Sequence, residues 1–351
     1  FCHDYMHGIL QGTAPVVLYH TLQAISLRGF DAWDFLAQYL QHFHFPHAWK
    51  CSHLASLLTK KKVDKYRANQ KVSALASEIL ALFPPVRHFI HTVVRDTCPD
   101  ACQAFLTMAD VVDQVHEGMQ WRITTRASLL QAVERACSAF ANSDFPVGMI
   151  RKWHWMLHLP DALQRYGHLP SCFTAERKHK SIGALATRLQ RTRSYERDLL
   201  HQVLPMELSA MQERDLFPME ACLLGPKEAS PKQLGTISLF LTGPCAAAAV
   251  STSARLARGR HCHTKDVVVF TTDGRPQIAE VQLHVLLDGT AATLVQVWDV
   301  LSTEPEQRYA KCRVSQVTGL VPLQAILYPV AYIKTGQEAR VLLPYQFNCR
   351  A

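Results

Sequence analysis

No apolar run in this 351-residue sequence approaches the roughly 18 residues of a membrane-spanning helix, so no membrane partner is expected. None of the eleven cysteines forms a Cys-x-x-Cys pair. An odd number without regular spacing argues against a disulfide framework and fits a reducing compartment. No long internal repeat is visible, and two or three separate domains suit the length. The opening residues, Phe1-Cys2-His3-Asp4, are neither an initiator methionine nor a signal peptide, and read as the start of a segment cut from a longer protein. Acidic residues are the scarcer sign, 29 against 37 Lys and Arg, for a net charge of +8. That imbalance mildly favours an acidic partner such as nucleic acid. What is present is a globular composition, 48% hydrophobic and 19% charged, able to bury a core.

Residues 1–145 read as helical. Ser73 to Phe83 carries Leu75, Ile79, Leu80 and Phe83 at a helical period, with Pro84-Pro85 expected to stop it. Cys98-Pro99-Asp100 opens a helix with Phe105, Met108, Val111, Val112 and Val115 on one stripe. Ser128 to Phe140 gives another, and Lys60-Lys61-Lys62 reads as a basic, exposed connection. Residues 146–217 form a distinct block: an apolar stretch, Trp153 to Leu159, ended by Pro160, then a turn at Gly167–Pro170, then a long basic helix from Ala175 to Arg197. Residues 218–254 include the best linker candidate, rich in Pro, Gly and Lys. From 255 to 351 the period becomes two, with Asp273-Gly274 and Asp288-Gly289 turns between short runs, the pattern of a small antiparallel barrel or sandwich.

Three constellations carry candidate chemistry. Asp4 and His7 stand three apart, on one face of a helix, where carboxylate and imidazole share a hydrogen bond or a metal. The spacing alone is weak evidence. Lys152-Trp153-His154-Trp155-Met156-Leu157-His158-Leu159-Pro160 places His154 and His158 at i, i+4, which permits zinc. No general-base Glu follows His154 and no third ligand is evident, so histidines bonded to carbonyls are the stronger reading. Glu176 heads a cationic helix. Between 176 and 197, seven Lys or Arg stand against two Glu and leave a net +5, the concentration that phosphate-backbone binding needs. Two lesser clusters, His42/His44/His47/Cys51/His53 and His261-Cys262-His263, match no finger spacing. The latter reads as an edge strand, and zinc is not expected at either.

Taken in order, these pieces resemble the transposases of CACTA-type elements: D-x-M-H at Asp4–His7, a long helical stretch, K-x-H-x-x-x-H-L-P at Lys152–Pro160, G-x-L-P at Gly167–Pro170, and an aromatic-x-x-E-R-x-H-K at Phe173–Lys180. Each motif is short, their shared order carries the resemblance, and it covers roughly residues 1–200. It implies an RNase H-like core that splits phosphodiester bonds through two Mg²⁺ or Mn²⁺ ions held by three acidic residues. Glu176 matches the last acid. Asp4 and His7 match the D-x-x-H signature near the second, and Asp4 would hold metal only if the rest of the core were present. Residues 8–145 would be the helical insertion.

The first acid and the opening strands of such a core are not in this chain, so catalysis by this chain alone is not expected. The implied role is that of a fragment or relic of a cut-and-paste transposase, nuclear by that role and by no targeting signal. DNA would be gripped by Arg177, Lys178, Lys180, Arg188, Arg191 and Arg193, with Lys152, His154 and His158 as a structural motif. The fold class expected is mixed and mainly α: a helical insertion and an incomplete RNase H-like core, then a C-terminal β module of BAH or SH3-like kind by analogy. The other class of function is a domesticated, non-enzymatic module that binds chromatin or a peptide through its β region.

Overall fold

The computed structural model describes residues 4–120, 124–143, 145, 148–169, 182–183, 185–187, 194–213, 220–241, 247–257 and 260–343. A helical region comes first and an antiparallel β region last. The helical region opens with a π-helical stretch, Met6–Thr13, that runs directly into α1 (Ala14–Leu27). Every residue from Ala14 to Leu22 is buried. A helix apolar on all sides belongs in the middle of a bundle, and α1 packs there against α5 (Pro99–Gln120), with α2 (Ala32–Gln41), α3 (Lys60–Asn69), α4 (Ala76–Phe89) and α6 (Arg126–Ala141) completing the region. Phe105, Met108, Val111, Val112 and Val115 of α5 are buried, as their stripe requires.

Two local expectations fail for one reason. Pro84-Pro85 does not stop α4, which continues through both prolines to Phe89 and then into a π-helical turn, Ile90–Val94. A proline inside a helix costs about 3 kcal/mol or more. Val86, Phe89 and Ile90, all at most 1% exposed, offset that cost by burial beyond the prolines. Lys60-Lys61-Lys62 is largely exposed, as expected, but forms the first turn of α3 and not a connection, held down by buried Val63 and Tyr66.

Residues 146–217 contribute α7 (Arg151–Met156), α8 (Leu159–Tyr166) and α9 (Tyr195–Glu213), with no strand among the described residues. Pro160 starts α8, where its missing N–H costs nothing, and does not end the stretch before it. Gly167 closes α8 in the left-handed conformation, φ 67°.

The β region begins inside the expected linker: β2 (Cys222–Leu224), β3 (Lys227–Glu228), α10 (Pro231–Ser238), β4 (Ala249–Ser251) and the start of β5 (Ser253–Arg255) all lie within 218–254. β6 (His261–His263) pairs β5, which pairs β2, in a three-stranded sheet. Among the described residues the main sheet has ten strands and is built on two tight hairpins. β7 (Val267–Thr272) turns at Asp273 and Gly274, φ 51° and 73°, into β8 (Arg275–Leu287). That strand turns at Asp288 and Gly289, φ 47° and 79°, into β9 (Thr290–Glu304). Positive φ at both central residues is the turn whose twist suits a hairpin, and Asp-Gly supplies it. β10 (Tyr309–Pro322), β11 (Ile326–Val330), β12 (Tyr332–Thr335) and β13 (Glu338–Leu342) complete the sheet.

Val267 and Val269 face one core with Trp298 and Tyr328, while Val268 and Phe270 face another with Val281 and Val295. Burial on both faces explains why β7 reads as a continuous apolar run. The sheet does not close into a barrel. β7 and β4 both pair with β8, at its opposite ends, and no pairing among the described strands joins the two margins. One margin is capped from outside: β1 (Phe43–His44), two residues of the helical region, pairs with β12. A short added strand of this kind protects a sheet edge. Phe43 is buried there with Tyr309, Ala331 and Leu342.

Candidate functional site

The π-helical stretch and α7, far apart in sequence, form one site. Asp4 precedes the π-helix and caps it: its carboxylate accepts from the backbone N–H of Met6 (3.3 Å) and of His7 (3.0 Å). The His7 ring donates from Nδ1 to Asp4 Oδ2 at 2.6 Å, which directs Nε2 away from the carboxylate. Asp4 is largely covered, and His7 is 42% exposed. The i, i+3 pairing read from the sequence is therefore formed.

Lys152 arrives from α7. Its Nζ donates to the carbonyls of His7 (2.9 Å) and Gln11 (3.3 Å), across 145 residues of sequence. Its stem lies over Gly12, where an added Cβ would stand 2.6 Å from Lys152 Cδ. Burial, then the Lys71 charge, holds the ammonium below the usual lysine range. Below it, Thr13 donates to the sulfur of Met156 at 3.0 Å. Of this contact set Gly12, Thr13 and Met156 had no sequence signal beyond their place in the motifs. A π-helix is rare and often sits at functional positions, but no pattern in Met6–Thr13 announces it.

His154 and His158 form a second pair on the same segment, Nε2 to Nε2 at 3.1 Å, both exposed. Trp153 and Met156 of the same turns are buried and hold the segment down. Glu176, Arg177, Lys178, Lys180, Arg188, Arg191 and Arg193 lie outside the described residues. The described residues thus bring Asp4, His7 and Lys152 together, with His154 and His158 on the same segment as Lys152.

Of the residues implied to hold Mg²⁺ or Mn²⁺, Asp4 already accepts N–H groups at both oxygens and Glu176 lies outside the described residues; among the described residues no cluster of three or more His, Cys, Asp or Glu is arranged to hold a metal. The histidine-cysteine cluster near residue 47 is likewise dispersed onto separate partners. His44 stacks on Tyr332, His47 bonds Asp266, Cys51 donates to the Trp49 carbonyl, and His53 bonds Glu78. His261-Cys262-His263 is the edge strand β6.

No family model, curated protein or solved structure matches this chain.

Two cavities lie where the helical and β regions meet. One, about 340 Å³, is mostly apolar and is lined by Trp49, Leu80 and Phe83 on one side and Tyr328 on the other, with Asp113 and His116 among them. Burial, then Arg260, pushes His116 down to about 4, so it is neutral. The second, about 520 Å³, is lined by Phe43, Phe45 and Tyr332 together with Glu280, Lys50 and Lys265. Neither was anticipated, because their walls come from segments more than 200 residues apart.

Proposed function

We propose that this chain is a fragment or relic of a cut-and-paste DNA transposase whose remaining activity is to bind DNA. The supporting observation is the junction of Asp4–His7 with Lys152. Two short motifs that resemble a transposase only by their order also share one packed site, with Lys152 Nζ 2.9 Å from the carbonyl of His7. In this reading Asp4 positions His7 and caps the π-helix, Lys152 ties α7 to it, and the cationic stretch that follows α8 in the sequence grips phosphates. An RNase H-like core belongs to the proposed transposase, and no cleavage step is assigned to these residues.

The test is the salt dependence of duplex DNA binding by the full chain. Affinity should fall steeply between about 50 and 200 mM salt. Replacing Arg188, Arg191 and Arg193 together by Gln should flatten the log–log slope by up to about 2.7, if each meets one phosphate. A slope unchanged by the triple replacement removes these residues from the interface, and salt-independent binding removes the electrostatic role altogether.

A second reading, a non-enzymatic module that binds chromatin or a peptide through its β region, is favoured by the 520 Å³ cavity. Aromatic Phe43, Phe45 and Tyr332 with the carboxylates of Glu280 and Asp266 can take a side chain that is both aliphatic and cationic, against the opposing charge of Lys50 and Lys265 on the same wall. Titration of the full chain with a lysine-rich peptide, followed by tryptophan fluorescence, should give saturable binding that Tyr332→Ala weakens. Equal binding by the variant would end this reading.

A further inference from the structure

His154 lies on α7 and His158 is the residue that caps α8, one helical turn further on. Their rings stand nearly perpendicular, 87° apart, and their Nε2 atoms approach to 3.1 Å. An imidazole nitrogen is a borderline donor that suits zinc, nickel or copper and not magnesium. In a tetrahedral zinc site with Zn–N near 2.0–2.1 Å, two nitrogens sit about 3.3 Å apart. The two nitrogens already share a hydrogen bond at this separation, one ring donating its Nε2–H to the other; an ion chelated by both takes the place of that bond, with the donor's proton shifted to Nδ1.

Two further observations bear on what this pair can hold. Both rings are exposed, so an ion can reach them. His154 also lines a groove of about 430 Å³, which leaves room for water or an incoming group beside that ring.

We infer that His154 and His158 form a two-histidine site for a borderline divalent ion, Zn²⁺ foremost. This departs from the sequence expectation, which lacked a third ligand and set zinc aside. The protein supplies two positions through neutral imidazoles. Because no cluster of three ligating side chains is present among the described residues, water or an incoming group fills the others. Such a site is distinct in chemistry from the oxygen-ligated Mg²⁺ or Mn²⁺ of the proposed ancestor.

The experiment uses the full chain without a histidine tag, stripped with a chelator and titrated with ZnCl₂ by calorimetry in millimolar Mg²⁺. The expected result is about one zinc per chain, with affinity lowered at least about ten-fold in both His154→Gln and His158→Gln. Circular dichroism of each variant should match the parent, because both side chains are exposed. Zinc binding unchanged in the two variants, or no zinc binding by the parent, overturns the site. DNA binding measured in chelator is unaffected by either outcome, so failure of this site and failure of the DNA reading are separable.

Discussion

Lys152 lies across Gly12 so closely that a methyl group at Gly12 would stand 2.6 Å from Lys152 Cδ and 2.9 Å from the carbonyl of His7. In an ordinary helix, Gly→Ala gains up to about 1 kcal/mol. Overpacking costs about 1–3 kcal/mol and should win here. Gly12→Ala should therefore destabilise the protein in urea, and less so when Lys152 is already alanine. Equal costs in both backgrounds would show that Lys152 and Gly12 are not coupled.

Asp113 concentrates the charge between the two regions. Arg87 Nη1 meets its Oδ2 at 2.5 Å within the helical region, and Arg308 Nε reaches the same oxygen at 3.6 Å from the turn before β10. Arg87 and Asp113 are 4% and 6% exposed. Removing one partner of a buried pair costs about 3–5 kcal/mol where the other charge is left uncompensated. Arg87 keeps Asp110 at 3.6 Å and Arg308 keeps Glu117 at 3.5 Å, so Asp113→Ala should cost no more than the lower end of that range, while Arg87→Met with Asp113→Leu should recover much of the loss. If the double variant is no more stable than Asp113→Ala, the cost is not one of orphaned charge.

Much of the architecture could be read in advance, and the failures share a cause. The α5 stripe, the two Asp-Gly hairpins and the Asp4–His7 pair are local patterns, decided within a few residues. Pro84-Pro85 misled because the burial of Phe89 and Ile90 is decided by helices elsewhere in the chain. β1 is two residues long and takes its strand conformation from β12, nearly 290 residues later in the sequence. The meeting of Lys152 with His7, like that of Arg308 with Asp113, joins positions that no spacing rule connects. The open sheet was missed because strand pattern shows which runs pair with turns, not that β8 serves β7 and β4 at opposite ends.

Asp266 ties the regions together at a second point. It is 2% exposed. Its Oδ1 accepts from the backbone N–H of His47 at 2.9 Å and from His47 Nδ1 at 2.8 Å, and its Oδ2 accepts from the N–H of His263 at 2.8 Å. Asp266→Ala leaves three donors without that acceptor, each at about 1–3 kcal/mol if water does not reach it. The segment around His47 should then detach first, together with β1. Limited proteolysis should show new cleavage between residues 42 and 53 before general unfolding. Cleavage confined to other segments would show that Asp266 does not hold this junction.

Acid should destabilise the protein through histidines that the fold keeps neutral. His20, His88, His91, His116 and His284 are each pushed down to about 4, with burial the largest cause in every case. His88 shows the geometry: Nδ1 shares a hydrogen bond with the hydroxyl of Tyr39 at 2.5 Å, and Nε2 is buried with no hydrogen-bond partner among the described residues, so a second ring proton would be buried beside no carboxylate. The unfolded chain takes up these protons near pH 6.5, the folded chain only near 4. Between those values the unfolded state binds more protons, so stability rises with pH. The contribution is full above about 6.5 and is lost as pH falls toward 4, by as much as about 1.4 kcal/mol per pH unit for each such histidine. Urea midpoints measured from pH 7.5 down to 4.5 should fall most steeply below 6.5. His88→Phe should make that fall shallower, because it removes one of the groups that must gain a proton on unfolding. A midpoint flat from 6.5 to 4.5 would mean that these imidazoles are reached by water and protonate as readily in the folded chain.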